Sequence, residues 1–153
     1  MTSASEPAPG CIFCQAADSA AQSDLVVARG RTAFVILNLF PYNSGHLMVV
    51  PNRHVAALGA LDREELTELM LLTARAERVL TEVYQPHGLN VGVNIGKAAG
   101  AGVADHLHVH LVPRWAGDTN FMSVVGDVRV LPEEVPVSAA RLRPVFEKLA
   151  IAD

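Results

Sequence analysis

His106-Leu107-His108-Val109-His110-Leu111-Val112-Pro113-Arg114-Trp115 is the stretch from which the rest of the chain is best read. Three histidines alternate with Leu107, Val109 and Leu111. At a period of two, a β-strand places the imidazoles on one face and the aliphatic side chains on the other. Successive rings are then expected about 6.6 Å apart, from a rise of roughly 3.3 Å per residue. The bland reading is a solvated strand face that carries histidine. Three in strict alternation, directly after a glycine-rich loop, point instead to chemistry. One option is a mononuclear zinc centre with three His ligands and an open water position. The other is a histidine nucleophile toward phosphorus, with neighbouring groups holding the phosphoryl oxygens and the leaving group.

The surroundings favour the nucleophile. Gly100, Ala101 and Gly102 let backbone N–H groups approach an anion closely. Lys97 and Arg114 offer local positive charge, and the loop lacks the Walker pattern of nucleoside triphosphatases. Working outward, Leu25–Arg29 and Ala33–Leu37 read as strands around a turn at Gly30. Pro41–Gly45 is a turn, His46–Val50 a buried strand, and Pro51 its stop. Asp62 is an N-cap with Glu64 and Glu65 in the first helical turn. The helix runs to Tyr84, with Leu66, Leu69, Met70, Thr73, Ala76, Val79, Leu80 and Val83 at helical spacing. Pro86-His87-Gly88 breaks it, with His87 read as a residue of the helix end. Leu89–Ile95 is a further strand, Gly117-Asp118 a turn, and Ser138–Ala150 a short helix whose Pro144 lies near a start or a kink. The expectation is α+β: one domain with a mostly antiparallel sheet of about five strands, one long helix and a shorter C-terminal helix.

Bulk properties set the frame. The 153 residues suit one domain, with 1–10 read as a disordered tail and 11–153 as the folded unit. No apolar run approaches the roughly 18–20 residues of a membrane span, and the first ten residues lack the apolar core of a signal peptide. The expectation is therefore a cytoplasmic protein without a membrane partner. A net charge of −4 argues against a nucleic-acid partner, which needs clustered basic surface. A small phosphorylated ligand stays open. Cys11 and Cys14, spaced C-x-x-C, are half a metal site, a redox pair, or two ordinary cysteines.

The triple-His motif resembles the signature of the histidine-triad (HIT) superfamily. The extension Pro113-Arg114-Trp115-Ala-Gly117-Asp118-Thr119-Asn120-Phe121-Met122 is similar to the branch of diadenosine polyphosphate hydrolases and phosphorylases. Cys11-Ile-Phe-Cys14, Asn38-Leu-Phe-Pro-Tyr-Asn43-Ser-Gly45-His46, Pro51-Asn-Arg-His54 and Gly100-Ala-Gly102 agree with it, so the likeness spans about residues 11–131.

The resemblance implies a nucleotide hydrolase or nucleotidyltransferase acting on diadenosine polyphosphates or related adenylylated nucleotides through a covalent nucleotidyl-histidine. His108 is the implied nucleophile, His110 the contact to the scissile phosphate and leaving oxygen, and His46 an orienting or stabilising partner. Asn38 corresponds to a ribose ligand. Asn94 and the Gly100, Ala101 and Gly102 backbone are phosphate candidates, and Trp115 can stack on a base. Cys11, Cys14, His54 and His106 match the ligands of zinc-bearing relatives, a closed set suited to structural zinc. No organic cofactor is implied, and a homodimer is. The stretch Ala101–Asp105 carries no hydroxyl where many relatives have Ser, Thr or Gln near Gly102 or Val103. The acceptor, water in a hydrolase or phosphate in a phosphorylase, therefore stays open, with water preferred. The alternatives are a nucleotide-binding module with vestigial catalysis and a metal-dependent enzyme that uses the histidine row directly.

Overall fold

The computed structural model describes residues 6–20, 23–118 and 133–149. Five strands, β1 (Val26–Arg29), β2 (Ala33–Leu37), β3 (Leu47–Pro51), β4 (Gly88–Val93) and β5 (Val109–Arg114), form one antiparallel sheet in the order β1-β2-β3-β5-β4. Among the described residues, three α-helices accompany it: α1 (Ile12–Ala17), α2 (Arg63–Tyr84) and α3 (Val135–Lys148). The α+β expectation holds. The short helix α1 is not legible in hydrophobic periodicity, because six residues do not complete two turns.

The pattern of burial along each strand follows what covers it. In β2 and β3 every residue is buried, since both faces of the sheet are packed there. Val35, Leu37, Leu47 and Val49 meet α2 through Leu69, Ala76, Val79 and Leu80, and α3 through Leu142 and Phe146. Phe34, Ile36, Met48 and Val50 point the other way and receive Phe13 and Ala16 of α1. Strand β5 alternates between buried and half-buried because one of its faces is left open. Leu107, Val109 and Leu111 supply the buried side and join the α2–α3 core.

Helix α2 begins with the expected cap. Glu65 N–H donates to Asp62 Oδ1 at 2.8 Å, and Asp62 N–H donates to Glu65 Oε1 at 3.1 Å. Its buried stripe is rotated from the expected one. Leu72 and Glu65 are buried, whereas Leu66 and Met70 are exposed. The burial of Glu65 is explained by Arg53, whose Nε and Nη2 donate to its two carboxylate oxygens at 2.8 and 2.7 Å.

Other boundaries move for local reasons. Pro51 ends β3 as expected but is itself the last paired residue, opposite Ala33. Helix α3 starts at Val135, three residues early, with Pro136 in its first turn, where a missing N–H is harmless, and Pro144 inside it. His87 is not a helix residue. Gln85, at φ 48°, caps α2, and His87 instead pairs with the end of β5, its N–H donating to Arg114 O at 2.9 Å. Of the expected tail, residues 1–5 lie outside the described residues, and Ala8 O accepts from Cys11 N–H at 3.1 Å. The motif residues 119–122 also lie outside them.

Candidate active site and metal cluster

Only His110 of the three alternating histidines lies within β5; His106, at a bend, and His108 precede the strand. All three still share the face opposite Leu107, Val109 and Leu111. Phe13 of α1 lies over both His106 and His108, at ring-centroid distances of 5.4 and 5.0 Å. The His108 and His110 rings are 4.7 Å apart, closer than the backbone repeat of about 6.6 Å, because the side chains lean together. His106 turns away toward a different set of partners.

Hydrogen-bond partners assign the tautomers. His108 Nδ1–H donates to His106 O at 2.9 Å, which leaves Nε2 as an unprotonated lone pair. Tyr42 N–H donates to His46 Nδ1 at 3.3 Å, so the His46 proton is on Nε2 and is donated to His110 Nδ1 at 2.9 Å. His110 is thereby left with its own proton on Nε2. The result is one imidazole with a free lone pair beside another with a free N–H. Burial, then repulsion from His110 and His108, lowers the His46 pKa to about 4, and burial first lowers that of His110. Both rings are therefore neutral near pH 7.

The turn that carries His46 is shaped by Gly45, at φ +79°. A Cβ there would come within 2.7 Å of the Tyr84 ring, so the glycine answers both to backbone conformation and to the close approach of α2.

His108 and His110 open into a cavity of about 1270 Å³, walled by Ile12, Phe13 and Ala16 of α1 on one side. Asn38, Asn94, Gly100 and Gly102 also reach this cavity. Asn38 Oδ1 accepts from Phe40 N–H at 2.9 Å, and its Nδ2 lies 3.5 Å from both ring nitrogens of His46, so this side chain joins the cavity wall to His46. The glycine loop is only partly available. Gly100 N–H donates to Lys97 O and Ala101 N–H to Gly96 O, at 3.0 and 3.3 Å, in a 3₁₀ turn. Ala101 is buried and does not face the cavity, whereas Gly102 donates to no described residue. Trp115 lies beyond β5, half-exposed and outside the lining. Arg114 is not a free cation, because Asp118 takes its Nε and Nη2 at 2.8 and 2.9 Å.

A second cluster gathers the remaining expected residues. The ligand atoms of Cys11, Cys14, His54 and His106 all lie within 4.8 Å of one another. Sulfur-to-nitrogen separations are 3.3 to 3.6 Å, and the two Nδ1 atoms are 3.2 Å apart. A tetrahedral zinc ion with S at about 2.3 Å and N at about 2.0–2.1 Å requires edges of roughly 3.3–3.8 Å. His106 Nε2–H donates to Pro51 O at 2.7 Å, which turns the Nδ1 lone pair toward the cysteines. The donor set fits a metal ion. Three sequence-distant segments build it, and Arg53, clamped on Glu65, fixes the residue next to His54.

A HIT domain match covers residues 19–117. The chain belongs to the HIT family. The HIT chain is 48% identical over 129 residues to an AP-4-A phosphorylase of Mycobacterium tuberculosis, covering 84% of this chain and 66% of that protein. It is 32% identical over 122 residues to a bis(5'-adenosyl)-triphosphatase of Dictyostelium discoideum, covering 76% and 81% of the two. Among solved structures, a Zn-bound histidine triad family protein from Mycobacterium smegmatis superposes with a TM-score of 0.72 at 25% identity. That alignment covers 92% of this HIT chain and 95% of the other. The described residues contain no helix long and apolar enough to cross a membrane.

The sequence implies a backbone carbonyl that fixes the His108 tautomer, as found, but it missed α1 as a cavity wall, the Tyr42 amide that sets the His46 tautomer, and which carbonyl serves His108, that of His106. The last two are backbone groups and have no residue-type signal.

Proposed function

We propose that this HIT domain, residues 11–153, is a nucleotide hydrolase or nucleotidyltransferase that cleaves diadenosine polyphosphates or related adenylylated nucleotides. One observation carries the reading: His108 offers an unprotonated Nε2 beside the Nε2–H of His110 at the floor of one cavity. His108 Nε2 attacks the α-phosphorus, an N–P bond forms, and the bridging P–O bond breaks. His110 gives its proton to the departing oxygen, and His46 supports the change in His110. Water or phosphate then attacks the same phosphorus, returns a proton to His110 and frees His108. Asn38 meets the ribose, while Asn94 and the Gly100–Gly102 turn lie by the phosphates, with the Gly102 N–H the donor that has no partner among the described residues.

The mycobacterial phosphorylase relative favours phosphate as the acceptor, against the preference for water. Incubation with diadenosine tetraphosphate tests both. AMP plus ATP means hydrolysis, and phosphate-dependent ADP plus ATP means phosphorolysis. Binding without turnover would refute the enzyme in favour of a binding module.

The Cys11, Cys14, His54 and His106 cluster holds structural zinc in this reading. Its four protein ligands leave no open position, so zinc pins α1 to the β3–β5 side of the sheet rather than entering the reaction. The protein is cytoplasmic and acts as a homodimer in the same reading. Among the described residues, strand β4 is a sheet edge with Val91 exposed, the kind of edge a second copy covers. A monomeric mass by light scattering would refute the dimer.

A further inference from the structure

The main cavity continues past the histidines. His108, His110 and Val112 alternate on one face, and the lining runs on from His110 to Val112, its register partner Asn90, and Tyr42. These last three residues also border a second cavity of about 420 Å³, completed by Asn43, Arg114 and Asp118. In-line phosphoryl displacement sets the attacking and leaving atoms on opposite sides of phosphorus. With His108 attacking and His110 donating, the leaving oxygen moves away from His108, past His110, toward Tyr42.

Tyr42 is 78% exposed. One face of its ring stacks on His46 at 5.2 Å and 18°, and the other is open. Phe40, 82% exposed, sits on the same turn and lines the main cavity. The turn is anchored. Asn43 Nδ2 donates to Pro113 O at 2.8 Å and to Asp118 Oδ2 at 2.9 Å. Arg114 joins Asp118 to Asn90 Oδ1, which it reaches at 2.7 Å. Exposed aromatic rings on an anchored support are the surface on which a nucleobase stacks. Because Asp118 neutralises Arg114, the side-chain amide atoms without a partner among the described residues are Asn43 Oδ1 and Asn90 Nδ2, beside the Tyr42 hydroxyl. One acceptor and one donor without net charge suit a base edge or ribose hydroxyls better than phosphate.

We propose that this second cavity, with Tyr42 as its stacking platform, is the subsite for the nucleoside end of the leaving nucleotide. The inference rests on the nucleotidyl-transfer reading above. It makes Tyr42 a specificity determinant for substrates with two nucleosides.

The test compares diadenosine tetraphosphate with the p-nitrophenyl ester of AMP, which shares the adenylyl group but has a small leaving group. Base stacking of about 1–3 kcal/mol corresponds to roughly 5- to 150-fold. Tyr42→Ala is expected to lose that factor in kcat/KM on the dinucleotide and less than about 3-fold on the ester. Tyr42→Phe, which keeps the ring, should stay near the native value on both. Equal losses of Tyr42→Ala on the two substrates would overturn the subsite, since the ring would then act only through His46. No loss on either would overturn it too. If the native chain turned over neither substrate, the proposed function itself would fall, and the subsite with it.

Discussion

Buried His46 makes the native state sensitive to mild acid. Its pKa falls from 6.5 to about 4, chiefly through burial and then through the neighbouring His110 and His108. At about 1.4 kcal/mol per pKa unit, that gap is worth about 3 kcal/mol. The sign follows from linkage. Between pH 6.5 and 4 the unfolded chain binds a proton at this position and the folded chain does not. The contribution is therefore fully present above pH 6.5, is lost as pH falls, and is gone below about 4; about 2 kcal/mol is lost by pH 5. His110 acts in the same direction. Glu65 and Glu68, both lowered from 4.5, lose their contributions at still lower pH. Urea titrations at pH 7.5, 6.5, 5.5 and 5.0 read the effect as a falling midpoint at constant slope. His46→Gln, neutral throughout, should remove about 2 kcal/mol of the pH 7.5-to-5 difference. Any metal lost in acid is common to both proteins and cancels in the comparison. Identical pH dependence of the native and His46→Gln proteins would refute the reasoning.

Other outcomes are equally open to measurement. Cys14→Ser is expected to lose bound zinc, read by elemental analysis, and to lower Tm by roughly 5–10 °C, since a kcal/mol is worth about 2–4 °C in a chain this size; full zinc content in the variant would refute the ligand assignment. His108→Ala should abolish the AMP-protein adduct seen by mass spectrometry while leaving zinc content unchanged, because the nucleophile and the metal cluster share no side chain. Leu111→Ala, at a fully buried position where α2 and α3 meet the sheet, should cost about 2–5 kcal/mol in urea unfolding. Gly45→Ala should cost more than about 1 kcal/mol and reduce turnover, because both its positive φ and the Tyr84 ring oppose a Cβ; an unaffected rate would separate the turn from His46.

Much of the fold is legible in the chain because local physics writes it there. The all-apolar runs of β2 and β3 announce strands covered on both faces, and Asp62 with Glu65 announces the start of α2. The alternation from His106 to Leu111 announces a surface with one buried and one working face. Residue type and spacing brought forward His106, His108 and His110 and the Cys11–Cys14 pair, and the resemblance to the HIT family added His46, His54 and the four-ligand metal set. Their division needed the third dimension. His106 and His108 are two residues apart and share a face, yet one turns to Cys11, Cys14 and His54 while the other opens on the cavity. That parting depends on backbone carbonyls of Pro51 and His106 and on the Tyr42 amide, groups that every residue carries and no sequence pattern marks. The same holds for the Gly100–Gly102 turn, where the loop's own hydrogen bonds decide which N–H is left for an anion. Residue chemistry is fixed by the sequence; which lone pair or proton faces the ligand is fixed by partners that only folding brings together.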